Sequence, residues 1–465
     1  MTTSVTHQKK QPPVLHGGLP YLGHAFEFAR NPIGLLLRGQ EQFGEVFSFL
    51  LAGSQITVFT GSKGNEAFFC APDDQFSQKE AYQFMVPIFG RGIAYDTTPD
   101  RMSEQLGFIF PALREERLQT YARLMASEAE AYFDNWGELG EVDLLTVMNE
   151  LTVFIASRCL IGQEFRENLT TEFARLYHDL EGGINLLAFF KPYLPLPSFQ
   201  RRDKARVRMV ELISGIIANR RARGFEGEDF LQTLMTARYA DGTALSDDNI
   251  TGLLLTLLFA GQHTSAVLAA WTGILLLQHP EYLPAIVIEQ QKVLGDGKNY
   301  SLEALRQLMI LERSIKEAER LRPPLIMLMR KILRDFEYNG YHIPTGGLAM
   351  VSPGVSHRLA ECFARPNCYE PDRFTPERAE DRKSPYSLIG FGGGRHRCIG
   401  QTFAYQQVKV IWSVLLRQFD LELVHENYEP NYSTFVVGPK QPCLIRYRRK
   451  QQVKPVNIFT ISGAI

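Results

Sequence analysis

The chain has 465 residues, 45% of them hydrophobic, with 50 basic against 51 acidic residues for a formal net charge of −1. That length and apolar content suit a globular protein with a large core, and the balanced charge supplies no global field to draw nucleic acid. No GxGxxG of the dinucleotide-binding type occurs, which argues against a flavin or nicotinamide enzyme. Without a linker-like run or a repeat of fixed period, one large domain over 1–450 is expected, followed by a C-terminal extension over 451–465, a linker or disordered tail.

In chain order, Met1 to Pro13 is polar and lacks the apolar core of a signal peptide or anchor, so no transmembrane anchor is expected. Val46–Leu51 and Gln55–Thr60 read as strands joined by a turn at Gly53. From about Asp100 to Val287 the apolar spacing is mostly helical, broken by Gly and Pro. Within it, Leu186–Pro197 is apolar and carries Pro192, Pro195 and Pro197, so it cannot be a regular helix. It reads either as a packed loop or as the lid of a channel for a greasy substrate.

Ser246, followed by Asp247 and Asp248, marks a helix start. The stretch it opens, Gly252 to Leu277, is the most apolar in the chain and long enough to span a bilayer. Gln262, His263, Thr264 and Ser265 at its centre would be expensive in lipid, so a buried core helix is the better reading. Strand-like pieces return near Ile343 and at Leu348–Val351, Thr434–Val437 and Leu444–Tyr447. The class expected is mainly α with small β-sheets.

The six cysteines, Cys70, Cys159, Cys362, Cys368, Cys398 and Cys443, show no CxxC and no dense framework. That usage fits a reducing compartment, the cytoplasm, and five of them read as small buried hydrophobes or inert thiols. Cys398 stands apart, because it ends the run Phe391, Gly392, Gly393, Gly394, Arg395, His396, Arg397. Three successive glycines let the backbone take positive φ and approach a flat partner closely. A helical spacing of apolar residues follows (Ala404, Val408, Ile411, Leu415, Phe419), so a thiolate at Cys398 would lie near a helix N-terminus and loop N–H groups. Arg395, His396 and Arg397 supply cations for acidic cofactor groups.

Phe391, Gly394, Cys398 and Gly400 follow the haem-binding pattern FxxGxRxCxG, with His396 where Arg is commonest. On this pattern the chain resembles the cytochrome P-450 superfamily. Two more elements carry the resemblance. Glu317 and Arg320 alone would be an ordinary solvated helix pair, but Arg322, Pro323 and Pro324 follow directly, and Pro371, Asp372, Arg373 and Phe374 come further on. In the family the E-x-x-R pair and the later Arg form a buried ion network, so Glu317, Arg320 and Arg373 are expected to be structural. The third element is Ala260 to Ser265. A lone Thr in a helix more often bonds a carbonyl one turn back. The functional reading has Gly261 leave room for dioxygen, Thr264 hold it, and His263 pass protons; most members have Asp or Glu before this Thr.

The resemblance implies a single-domain cytochrome P-450 fold and haem b (iron protoporphyrin IX), with Cys398 as axial iron ligand and Phe391 and Gly394 shaping the cofactor loop. It also implies O2 as co-substrate and an external electron donor, an iron–sulfur ferredoxin, separate or tethered. A non-enzymatic haem sensor would have no use for Gly261 and Thr264.

Within the superfamily, the chain resembles the sterol 14α-demethylases of soluble bacterial type over about Pro20 to Lys450. The residues that carry this are His263, His396, Ala81–Asp96, Leu194–Asp203 and Leu325–Arg330. The implied reaction removes the 14α-methyl of a sterol in three oxygenations, as formate, leaving a 14,15 double bond. By the same resemblance Tyr82, Arg330 and His396 bond the haem propionates, and Tyr82, Phe84, Met85, Phe89, Phe259, Ala260, Leu325 and Met327 line the sterol pocket. Phe at position 84 goes with forms preferring C4-monomethyl sterols, and Leu with forms preferring C4-dimethyl ones. Where the family commonly has a propionate-binding Lys after Asp96, this chain has Ser103, and either Arg101 or another cation compensates or the haem edge is held differently. The alternative reading is a related haem-thiolate monooxygenase acting on a fatty acid or terpenoid.

Overall fold

The computed structural model describes residues 10–167, 171–184, 186–225, 229–295 and 299–451. Its frame is helical. The elements that matter for the site are α1 (Glu115–Asp134), α2 (Leu144–Ala156), α3 (Thr171–Glu181), α4 (Pro197–Arg223), α5 (Asp247–Gln278), α6 (Met309–Leu321) and α7 (Gln401–Gln418). Beside a smaller apolar cluster that gathers Phe59, Phe68, Phe76 and Ile332, a large apolar core runs from Leu15 to Tyr447.

Helix α5 is the axis of that core and packs against α2, α4, α6 and α7. Its start is the one the sequence marks: the Ser246 side chain accepts from the Asn249 N–H, and Asp247 and Asp248 occupy the first turn, where carboxylates meet the positive end of the helix dipole. Two glycines set its neighbours. A Cβ on Gly273 would lie 1.9 Å from the Trp412 ring of α7, and one on Gly252 would lie 2.2 Å from the Phe89 carbonyl. The first lets α7 close in, and the second seats the short helix Val86–Phe89 on α5. Leu144–Ile161 and Asp247–Gln278 are long and apolar enough to cross a bilayer, but 67% of each apolar window is buried inside the protein. They are core helices.

A five-stranded sheet has the order Val46–Leu51, Ser54–Phe59, Leu348–Val351, Leu328–Ile332, Phe76–Ser77. The expected hairpin is there, turning through Ala52 (φ 47°) and Gly53 (φ 82°). A second sheet joins Leu139–Asp143, Leu444–Arg449 and Phe419–Leu423, and Phe336–Tyr338 pairs with Tyr341–Ile343.

The strand expected at Thr434–Val437 does not form. The Thr434 hydroxyl donates to the Asn431 and Val436 carbonyls at 3.0 and 2.8 Å, which curls the segment in the way local side-chain bonds compete with a ladder. The Val437 N–H then docks on the Pro324 carbonyl at 2.8 Å. Leu186–Pro197 opens with a single short helix, Leu186–Phe190, which ends before Pro192. The fully buried Arg202 of α4 holds the Pro192 carbonyl at 3.0 Å. Beyond Gln451, the C-terminal extension lies outside the described residues.

Candidate functional site

The run from Gly390 to Gly400 folds as its glycines require. Gly392 and Gly394 take φ of 70° and 59°, and a Cβ on Gly394 would lie 2.5 Å from the Phe69 carbonyl. The Cys398 N–H bonds the Phe391 carbonyl at 2.9 Å, and α7 begins three residues later. The Cys398 thiol opens into a cavity. Burial pushes its pKa up, while the Gly400 and Gln401 N–H groups and Arg397 pull it down. A cation bound there would leave it a thiolate.

That cavity has a volume of about 310 Å³. That volume lies at the low end of the roughly 300–1,000 Å³ of an ordinary small-molecule site. Four segments meet on it. Tyr82, Met85 and Phe89 come from the short helical turns after Ser77; Phe259, Ala260, His263 and Thr264 come from α5. Leu325 and Arg330 come from the segment leading through the sheet, and Phe391, His396 and Cys398 from the glycine loop.

Three residues expected at the site are not in its wall. Phe84 is 2% exposed; its ring faces Phe189, Phe435 and Tyr82, with centroids 5.3, 5.5 and 5.8 Å away. Met327 stands next to the strand position Leu328, and it is Leu328 and Arg330 that face inward, as strand alternation dictates. Gly394 acts through its backbone against Phe69. Arg101 does not compensate for Ser103: it donates to Asp241 at 2.8 Å and lies 3.9 Å over the Tyr239 ring. Gln105, two residues beyond Ser103, is buried and ties the Ala94 N–H and Gly92 carbonyl.

Arg330 is 5% exposed; its Nη1 donates to the Met329 carbonyl at 2.9 Å, and among the described residues no carboxylate pairs with it within 4.0 Å. Burial pushes its pKa down, and Tyr82, Tyr95 and Asp73 oppose that. Tyr82 stacks on Tyr95 at 5.1 Å and accepts the Met329 N–H at 3.4 Å. His396 donates from Nε2 to Asp73 Oδ1 at 2.6 Å, and burial lowers its pKa despite that carboxylate. Gln78 also lines the cavity, with a buried Oε1 that has no hydrogen-bond partner among the described residues.

On α5, the Thr264 hydroxyl donates to the Ala260 carbonyl at 2.6 Å, the ordinary bond of a helical Thr. A Cβ on Gly261 would meet nothing within 4 Å. His263 Nε2 meets Glu181 Oε1 of α3 at 2.5 Å, and its ring stacks on Tyr177. Outside the cavity, Glu317, Arg320 and Arg373 are fully buried. Glu317 accepts from Arg320 Nε at 2.8 Å and Arg373 Nε at 3.0 Å, and Arg373 Nη1 reaches Glu380 at 2.7 Å.

The family model Cytochrome P450 matches residues 12–446. The chain belongs to the cytochrome P450 family. Within it the chain groups with the sterol 14-demethylases. It is 42% identical to sterol 14alpha-demethylase of Mycobacterium tuberculosis over 447 residues, which cover 95% of this chain and 99% of that one. It is 41% identical to sterol 14-demethylase of Arabidopsis thaliana over 456 residues, covering 97% and 93%. The retinoic acid-bound cyanobacterial CYP120A1 shares the fold, with a TM-score of 0.84 over 95% of this chain and 100% of that one at 23% identity. The cofactor of this family is haem, and the residues present fit it: an accessible thiol beside a helix N-terminus, a loop in which side chains at Gly393 and Gly394 would clash, and an arginine that pairs with no carboxylate among the described residues.

Sequence reasoning missed Tyr95 as a wall residue, along with Gln78, Ile184, Thr256, Glu319, Phe435 and Val436. Tyr95 lay in a stretch already singled out. Phe435 and Val436 carried no signal beyond apolarity, because an irregular segment has no period to read.

Proposed function

We propose that this protein is a haem-dependent monooxygenase that removes the 14α-methyl group of a sterol in three oxygenation steps, using O2 and external electrons. The observation that carries this reading is the shared cavity, where Cys398 and the Ala260–Thr264 turn of α5 face one apolar space. That relatives about 40% identical over nearly the whole length are sterol 14-demethylases supports the sterol as substrate class.

The cofactor would be haem b, held by the Cys398 thiolate; when bound, such a thiolate would push electron density to the iron and favour O–O cleavage. Arg330 holds an acidic edge of it, since a buried guanidinium without a carboxylate needs an anion. Tyr82 and His396 complete that edge, and Asp73 fixes the His396 ring. Phe391 packs the loop against Tyr405, with centroids 5.6 Å apart. Met85, Phe89, Phe259 and Leu325 exclude water and orient an apolar substrate over Ala260.

His263 and Thr264 deliver protons. Glu181 is one-quarter exposed and has His178, which is 83% exposed, 3.8 Å away. Protons therefore have a path from solvent through Glu181 to His263 Nε2 and on to the cavity. Electrons come from an iron–sulfur ferredoxin. The six free cysteines fit a reducing compartment, the cytoplasm. Residues 1–450 form the monooxygenase domain.

A spectral titration of the haem-loaded protein with a panel of sterols tests the proposal. C14-methylated sterols are expected to shift the haem to high spin and to yield formate with a ferredoxin system. Shifts given only by fatty acids or terpenoids, with no formate from sterols, would overturn it.

A further inference from the structure

Glu319 has no place in the chemistry derived above, and its setting is unusual for a carboxyl. It sits on α6 between Glu317 and Arg320, yet its side chain leaves their ion network and lines the Cys398 cavity. It is 2% exposed. Among the described residues no cation pairs with it within 4.0 Å, and the hydrogen bond it accepts comes from the Tyr405 hydroxyl. A Cβ on Gly390 would lie 2.2 Å from Glu319 Oε1, so the carboxyl is seated against the loop that carries Cys398.

Tyr405 belongs to a second space as well. It lines a surface cleft of about 210 Å³, together with Arg306, Glu312, Lys316, Gln401 and Lys409. The Tyr405–Glu319 hydrogen bond therefore joins that cleft to the cofactor cavity on the Cys398 side. A carboxyl placed there without an ion pair gains nothing in stability from its charge, and an apolar residue would fill the space at less cost.

We propose that Glu319 and Tyr405 are positioning residues that take up a proton on the Cys398 side of the cofactor when the haem receives an electron, with the cleft as the way in. The inference rests on Cys398 holding the haem. The step balances simply. One electron from an external one-electron donor takes the iron from ferric to ferrous. The Tyr405 hydroxyl gives its proton to the Glu319 carboxylate at Oε2 and regains one drawn from bulk solvent through the cleft, so one solution proton is taken up with the electron and no other bond changes.

Burial pushes the Glu319 carboxyl up to about 7, against the Tyr405 hydrogen bond and the Lys316 and Arg397 charges, with Asp381 adding to the rise. Lys316 is itself paired with Asp381. An electron added beside Cys398 makes the surroundings more negative and raises that carboxyl further, so reduction draws a proton in. Conversely, a carboxylate already charged at higher pH favours the ferric form and lowers the midpoint potential.

The test is spectroelectrochemistry of the haem-loaded full chain, wild type and Glu319→Gln, after the reduced CO spectrum of each has established thiolate ligation. In the wild type the midpoint is expected to fall as pH rises from about 6 to about 8.5, approaching about 59 mV per pH unit where one proton follows one electron. Glu319→Gln should remain near the wild-type acid value across the range. Tyr405→Phe removes the bond that lowers the carboxyl and should move the sloping region to higher pH. Infrared difference spectra should show a carboxylic-acid C=O band gained on reduction in the wild type and absent from Glu319→Gln. A flat wild-type midpoint, the same slope in Glu319→Gln, or no C=O band in the wild type would overturn the proposal while thiolate ligation stood. Loss of the thiolate spectrum in the wild type would instead remove the reading on which it rests.

Discussion

Replacing Phe84 by Leu tests how the protein chooses among sterols. Resemblance alone sets this ring against the sterol A-ring, but in the structure it lies one layer behind the cavity wall, 2% exposed. Its effect must pass through Tyr82 and Phe435, which both line the cavity and pack on it. An aromatic pair is worth about 0.5–1.5 kcal/mol beyond its buried area, so Leu loosens each of these two wall residues by an amount of that order. A methyl's fit against the wall itself is worth about 1–3 kcal/mol. Transmitted through one layer, the gain for a second C4 methyl should lie at the low end, about 1 kcal/mol, or roughly fivefold in relative specificity. The assay is kcat/KM for lanosterol and for obtusifoliol on both proteins, with thermal unfolding alongside. The lanosterol-to-obtusifoliol ratio is expected to rise. If both activities and the unfolding temperature fall together with the ratio unchanged, Phe84 only packs the core and the reasoning fails.

Cys398→Ser should abolish the strongly red-shifted Soret band of the reduced, CO-bound protein, and an unaltered band would move the iron ligand elsewhere. Thr264→Ala and His263→Ala should retain haem yet lower sterol turnover by about 10²–10⁴-fold, the usual worth of positioned proton transfer, and divert reductant to peroxide; wild-type coupling in both would remove the relay. His357 should weaken the protein in acid. It is buried between the Arg320 carbonyl and the Ile389 N–H, and burial pushes its pKa down to about 3. The unfolded chain therefore takes the proton first, and stability falls as pH drops below the ordinary imidazole value of about 6.5. The loss from pH ~7 to ~5.5 should be about 1 kcal/mol, read by denaturant unfolding, and a His357→Gln variant with an equally steep acid loss would place its origin in other groups.

What could be read ahead of the structure follows from what leaves a local mark. A glycine run before a cysteine and a helix is a backbone statement, and the loop at Gly392–Cys398 is built as its spacing implies. Ser246 with Asp247 and Asp248 marks a helix start because capping is settled within four residues. The buried role of Glu317, Arg320 and Arg373 could not be read from the pair alone, since spacing on a helix does not distinguish a solvated face from a core. Arg101 shows the reverse failure. A cation near the right place in sequence was drawn off by Asp241 and Tyr239, which sit about 140 residues away in the chain and leave no trace near position 101.

Leu186–Pro197 offered two readings, a packed loop and a lid, and its placement explains why composition could not separate them. On the inner side, Ile184 just before it lines the cavity and Phe189 packs on Phe84. On the outer side, Leu187, Tyr193 and Leu194 are exposed by 47%, 66% and 37%. Both faces are apolar, so no amphipathic period exists to report an orientation. The prolines prevent a continuous helix, and the buried Arg202 fixes the segment at the Pro192 carbonyl. No described side chain from Leu186 to Pro197 lines the cavity, and Phe189 reaches Phe84 behind the wall. The segment therefore packs as a loop there, while its apolar outer side gives composition nothing by which to tell that from a lid.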